Sequence, residues 1–65
     1  MIREYRNKAA LTQEELAEKI NISTRQLQRI EENEENTKIK TLKKLIKELK
    51  IPDKEIIKFM KNKEV

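Results

Sequence analysis

The chain has no cysteine, no histidine and no glycine in 65 residues. Without cysteine there are no disulfide staples and no thiol nucleophile. Without cysteine and histidine together, the common zinc sites and imidazole bases are excluded as well. The absence of glycine removes the phosphate-cradling loops of nucleotide-using enzymes. No metal, no cofactor, no small-molecule substrate and no enzymatic activity are therefore expected. Tryptophan is absent too, and proline, tyrosine and phenylalanine occur once each. No apolar run approaches the roughly 20 residues of a membrane span. The opening MIREYRNKAA has no secretory hydrophobic stretch, so a cytoplasmic location without a membrane partner is expected.

Charge is what the chain has in abundance. Charged residues make up 43% of it, the mean hydropathy is −0.95, and the formal net charge is +4. Residues 1–36 hold 6 basic and 8 acidic side chains, whereas residues 37–65 hold 10 basic and 4 acidic. A basic second half suits a polyanion, and it equally suits a solvated lysine surface.

A domain of this size buries only about 60% of its chain surface, so every apolar stripe is needed for the core. The 9 isoleucines and 6 leucines fall at helical spacing. Ile2, Tyr5 and Ala9 form one stripe; Leu16, Ala17 and Ile20 a second; Leu27 and Ile30 a third. Ile39, Leu42, Leu45, Ile46 and Leu49 form a fourth, and Ile56, Ile57 and Met60 a fifth. No segment alternates with period two. The spacing predicts one all-α domain over 1–65, with five helices near 2–9, 13–20, 24–32, 38–50 and 54–62.

Local chemistry marks the boundaries. Thr12-Gln13-Glu14-Glu15 has the capping-box pattern, in which a hydroxyl and a carboxylate satisfy each other's backbone N–H. Ser23-Thr24-Arg25-Gln26 repeats it with glutamine. Pro52 blocks continuation of the fourth helix, and Asp53 is placed to cap the fifth. Asn21, Asn33 and Asn36 lie between stripes, where asparagine is the best substitute for glycine in a left-handed turn.

Gln13 to Arg29 carries the functional signal. Two short helices flank Asn21-Ile22-Ser23. Ala17 faces the bend, and Leu16, Ile20, Ile22, Leu27 and Ile30 anchor both sides. That is a helix-turn-helix arrangement, with an αα-corner of some unrelated bundle as the alternative. The run LTQEELAEKINISTRQLQRIEEN resembles the Cro and lambda-repressor type of helix-turn-helix domain, the xenobiotic-response-element family. IREYR and TLKKLIKELKIPDKEI resemble its first, fourth and fifth helices, so the likeness spans about residues 2–57. The resemblance implies a five-helix lambda-repressor-like fold binding double-stranded DNA, typically in dimeric repressors. It implies a phosphate contact for Gln13 and base contacts for Thr24, Arg25 and Arg29.

Helical geometry supports that placement. With Leu27, Ile30 and Glu31 inward, Arg25 and Arg29 share the centre of the outward face, Gln28 and Glu32 lie on one flank, and Gln26 lies on the other. Arginine matches guanine O6 and N7 with two donors, and Gln28 can read adenine or hold the backbone. Arg6 shares the stripe of Ile2 and Tyr5, while Glu31 shares that of Leu27 and Ile30. Two inward charges are costly unless they meet, so an Arg6–Glu31 ion pair is expected, as the family resemblance also implies.

The chain departs from the family at Asn21 and Asn33, where glycine is usual, and in the loop Glu31-Glu32-Asn33-Glu34-Glu35-Asn36. Glu32, Glu34 and Glu35 would set three carboxylates near phosphates, with Lys38 and Lys40 as compensating cations. The lysines of 38–50 read as the solvated face of a core helix, with membrane-surface binding as the alternative. Ile56, Ile57, Phe59 and Met60 span a wide apolar arc, so a homodimer through Phe59, Met60 and Ile56 is expected. The function expected is sequence-specific transcriptional regulation by a dimeric repressor. The alternative is an antitoxin-like or anti-repressor protein-interaction module built on the same fold.

Overall fold

The computed structural model describes residues 1–63, which form five α-helices and no strand. They are α1 (Ile2–Lys8), α2 (Gln13–Lys19), α3 (Thr24–Glu32), α4 (Ile39–Leu49) and α5 (Asp53–Lys63), with a 3₁₀ turn at Glu34–Asn36. Among the described residues no helix is long and apolar enough to cross a membrane.

Two helices start where their caps dictate. Thr12 Oγ1 accepts from Glu15 N–H at 3.0 Å while the Glu15 carboxylate accepts from Thr12 N–H at 2.9 Å. Ser23 and Gln26 repeat the exchange at 3.1 and 3.0 Å. Asp53 does not cap α5 from outside. It is the first helical residue, and the Pro52 carbonyl accepts the Ile56 N–H at 3.3 Å. The Asp53 carboxylate thus sits in the first turn, where it complements the helix dipole.

Helix ends are less orthodox. Asn21 is left-handed with φ 61°, whereas Asn33 has φ −145° and Asn36 is not left-handed. The other left-handed residues are Ala10 (φ 58°) and Lys50 (φ 54°). A 6→1 bond follows each of the three: Leu11 N–H to Arg6, Ile22 N–H to Ala17 and Ile51 N–H to Ile46, at 3.1, 2.9 and 3.1 Å. Each donor belongs to an apolar residue that joins or packs against the core, and that burial holds the unfavourable residue in place. A Cβ in this conformation costs about 1–2 kcal/mol, which glycine avoids. Ala10→Gly is therefore expected to stabilise the fold by about 1 kcal/mol and raise the melting temperature by about 4–8 °C in a thermal melt.

The core gathers Ile2, Leu16, Ala17, Ile20, Leu27, Leu45, Leu49 and Ile51. Tyr5, Leu11, Ile22, Ile30, Ile46 and Ile56 pack around it. Four members of the expected stripes lie elsewhere, Ile57 and Met60 on α5 among them. Ala9 is exposed because α1 has already ended, and Ile39, at the first residue of α4, is 60% exposed. Ala17 is 2% exposed, which leaves no room for a larger side chain between α2 and α3.

Candidate nucleic-acid interface

The outward face of α3 is built from its first turn. The Ser23–Gln26 box fixes the start of the helix, and Thr24 follows, half-buried. Arg25, Gln28, Arg29 and Glu32 are exposed, while Leu27 is fully buried behind them. Neither Arg25 nor Arg29 has an ion pair or a side-chain hydrogen bond among the described residues. Gln26 is also exposed, but its carboxamide oxygen accepts from Ser23 N–H, so only its NH2 group is left for another partner.

The structure brings Lys38 to the same surface. A cleft of about 380 Å³ runs between α3 and the start of α4, lined by Gln26, Arg29, Ile30, Asn36, Thr37, Lys38 and Thr41. Lys38 is the residue before α4, and Lys40 lies exposed in its first turn. No side chain caps α4, so its free N–H groups add partial positive charge beside Lys38.

Behind this face, Glu31 organises the interior. Its side chain has no solvent exposure. Arg6 Nε donates to Oε2 at 2.8 Å and Arg6 Nη2 to Oε1 at 3.3 Å. Arg3 Nε and Gln13 Nε2 each donate to Oε1 at 3.2 Å. Arg6 Nη1 also donates to the Leu11 carbonyl at 2.8 Å, so one guanidinium ties α1 to its own turn and to α3. Arg3 and Gln13 were not legible as partners. Arg3 lies one helical turn before Arg6, which is the only sequence signal for it. Gln13, expected at a phosphate, has one amide hydrogen on Glu31, leaving the second hydrogen and the carbonyl oxygen for another partner.

Burial pushes the Glu31 carboxyl up, but the hydrogen bonds from Arg6, Arg3 and Gln13 outweigh it and hold the group below the ordinary carboxylate range. A carboxyl depressed in the folded state stabilises the fold above its unfolded pKa, near ~4.3, and loses that stability as pH falls through the folded value. Acid melts should therefore show a loss of stability below about pH 4.3 that Glu31→Gln reduces, the Glu15 carboxylate of the Thr12 cap, also held low, supplying part of the remainder. A slope identical in both proteins would remove Glu31 as its source.

The acidic loop differs from expectation. Glu34 does not face outward: its carboxylate accepts from Ile2 N–H at 2.8 Å and lies 3.2 Å from the Met1 nitrogen, capping α1 across the fold. Glu32 and Glu35 remain exposed. The apolar arc of α5 is also arranged differently from expectation. Ile56 packs against the core and Phe59 is half-buried, whereas Ile57 and Met60 are 55% and 42% exposed. Ile57, not Ile56, is thus the isoleucine on the open side of α5.

Two short helices joined across a left-handed asparagine, the second carrying unpaired arginines outward, define a helix-turn-helix protein. A family model described as helix-turn-helix matches residues 2–56, and the chain belongs to this family of DNA-binding regulators, with the Cro and lambda-repressor type of domain. Neither the curated proteins nor the solved structures contain a match to it.

Proposed function

We propose that the protein is a sequence-specific transcriptional repressor in the cytoplasm, binding a pseudo-palindromic operator as a homodimer and blocking the promoter by occupying it. One observation carries this reading. Arg25 and Arg29 stand exposed and unpaired, four residues apart, on a helix whose start is capped and whose end is pinned by a buried ion cluster. Guanidinium groups so placed suit direct reading of guanine in the major groove, with Thr24 and Gln28 beside them. Lys38, Lys40 and Gln13 would hold phosphates on either side. Ile57, Met60 and the open edge of Phe59 supply the apolar surface for a second copy. That copy would set two recognition helices about 34 Å apart.

The test is selection from a randomised duplex library at two salt concentrations. Enrichment of a two-fold symmetric site with guanine in each half, and affinity falling steeply with salt, is the expected result. Sedimentation should give a dimer that Met60→Lys converts to a monomer. Exposed Glu32 and Glu35 favour a second reading, a protein-interaction module, because carboxylates beside a phosphate backbone oppose binding. Failure to enrich any sequence at either salt would decide for that reading.

A further inference from the structure

A second cationic site lies at the other ends of the helices that enter the recognition surface. Gln13 and Lys38 mark the N-terminal ends of α2 and α4. The C-terminal ends of the same two helices meet at an open cleft of about 500 Å³ lined by Lys19, Ile20, Asn21, Lys44, Lys47, Glu48 and Lys50. Four lysines and one glutamate give this cleft a formal +3, against +4 for the whole chain. All four lysines are exposed, and none makes a salt bridge among the described residues. None of the cleft's residues belongs to the recognition surface. Along α4, at about 1.5 Å per residue, Lys47 lies some 13–14 Å from Lys38.

The chemistry of the lining narrows the occupant. Its one apolar residue, Ile20, is 4% exposed, and no aromatic is present, so a protein partner would find nothing to anchor in it. Single-stranded nucleic acid is disfavoured for the same reason, because its bases need a stacking platform. Lysine ammonium groups are point charges that hold phosphates without reading geometry or sequence. A phosphodiester backbone needs nothing else. Lysines at helix C-termini complement the dipole, but one per end would suffice for that.

We propose that the Lys19–Lys44–Lys47–Lys50 cleft binds the phosphate backbone of a second DNA duplex without sequence preference, so that one chain bridges two segments. The bridging rests on α3 being the first DNA surface; binding at the cleft does not. The experiment mixes the full chain with two short duplexes, one labelled with an energy donor and the other with an acceptor.

Wild type is expected to give energy transfer that fades between about 50 and 200 mM salt. The variant K19Q/K44Q/K47Q/K50Q is expected to lose transfer while binding one duplex as tightly as wild type. R25A/R29A is expected to lose sequence preference while still taking duplex at the cleft, and the four lysine changes added to it should remove the transfer that remains. The cleft step in wild type, with three or four phosphate contacts, should itself show a salt slope of about 3 in magnitude.

Transfer that survives in K19Q/K44Q/K47Q/K50Q overturns the proposal, since bridging would then arise from paired recognition helices. So does a wild type without transfer whose binding of inorganic tripolyphosphate depends on the four lysines, which makes the cleft a small-polyanion site. If R25A/R29A binds duplex no differently from wild type and the lysine variant not at all, the reading of α3 fails while the cleft assignment stands.

Discussion

Arg6→Ala is expected to cost about 3 kcal/mol of folding stability, the low end of what removing one partner from a buried ion pair costs. The low end applies because Arg3 and Gln13 still donate to the Glu31 carboxylate. Arg3 is a weak substitute, its side chain being 58% exposed. The Leu11 carbonyl loses its donor as well. A chain of this length has roughly 3–10 kcal/mol of stability in all, so the variant should be largely unfolded by physiological temperature. Denaturant and thermal melts followed by circular dichroism would measure it. Adding Glu31→Gln to Arg6→Ala should recover part of the loss, because the uncompensated buried charge is gone. A melting temperature unmoved by Arg6→Ala would show that the pair does no structural work.

The second large effect is on DNA binding, and it separates reading from holding. Arg25→Ala or Arg29→Ala should lose ~1–3 kcal/mol on the selected site, roughly 5- to 150-fold, and little on a scrambled duplex. Lys38→Ala should weaken both duplexes alike and reduce the salt slope by about 1. Fluorescence anisotropy on the two duplexes across a salt series gives both quantities. Both arginines are exposed on the outer face of α3, so folding should be unaffected, which the melts above would verify. If Arg25→Ala and Arg29→Ala weaken the two duplexes equally, the arginines hold phosphates and do not read bases.

How much of this was legible beforehand depended on range. The Thr12–Glu15 and Ser23–Gln26 caps are four-residue patterns, and the fold realises both. Asn21 was readable as a left-handed residue because asparagine tolerates that conformation; Ala10 and Lys50 were not. Their conformation is imposed by Leu11 and Ile51, which turn back toward the core, and no property of alanine or lysine announces it. Glu34 capping α1 was equally hidden, since its partner lies 32 residues away. The inward faces of Arg6 and Glu31 follow from helical spacing. That a third and a fourth donor, Arg3 and Gln13, converge on the same oxygen is a product of how three helices pack. Ile39 leaves its expected stripe because it is the first residue of α4, where a small change in boundary decides which residue points inward.

The capture of Gln26 by its own helix start limits the vocabulary of α3. On the proposed reading, Thr24, Arg25, Gln28 and Arg29 can distinguish only a few neighbouring base pairs. A word that short recurs by chance throughout a genome, which offers on the order of 10⁶ decoys or more. A lone copy would spend nearly all its time on wrong addresses, and only doubling the word makes the address rare. In the proposed dimer, the exposed Ile57 and Met60 on α5 would do that doubling.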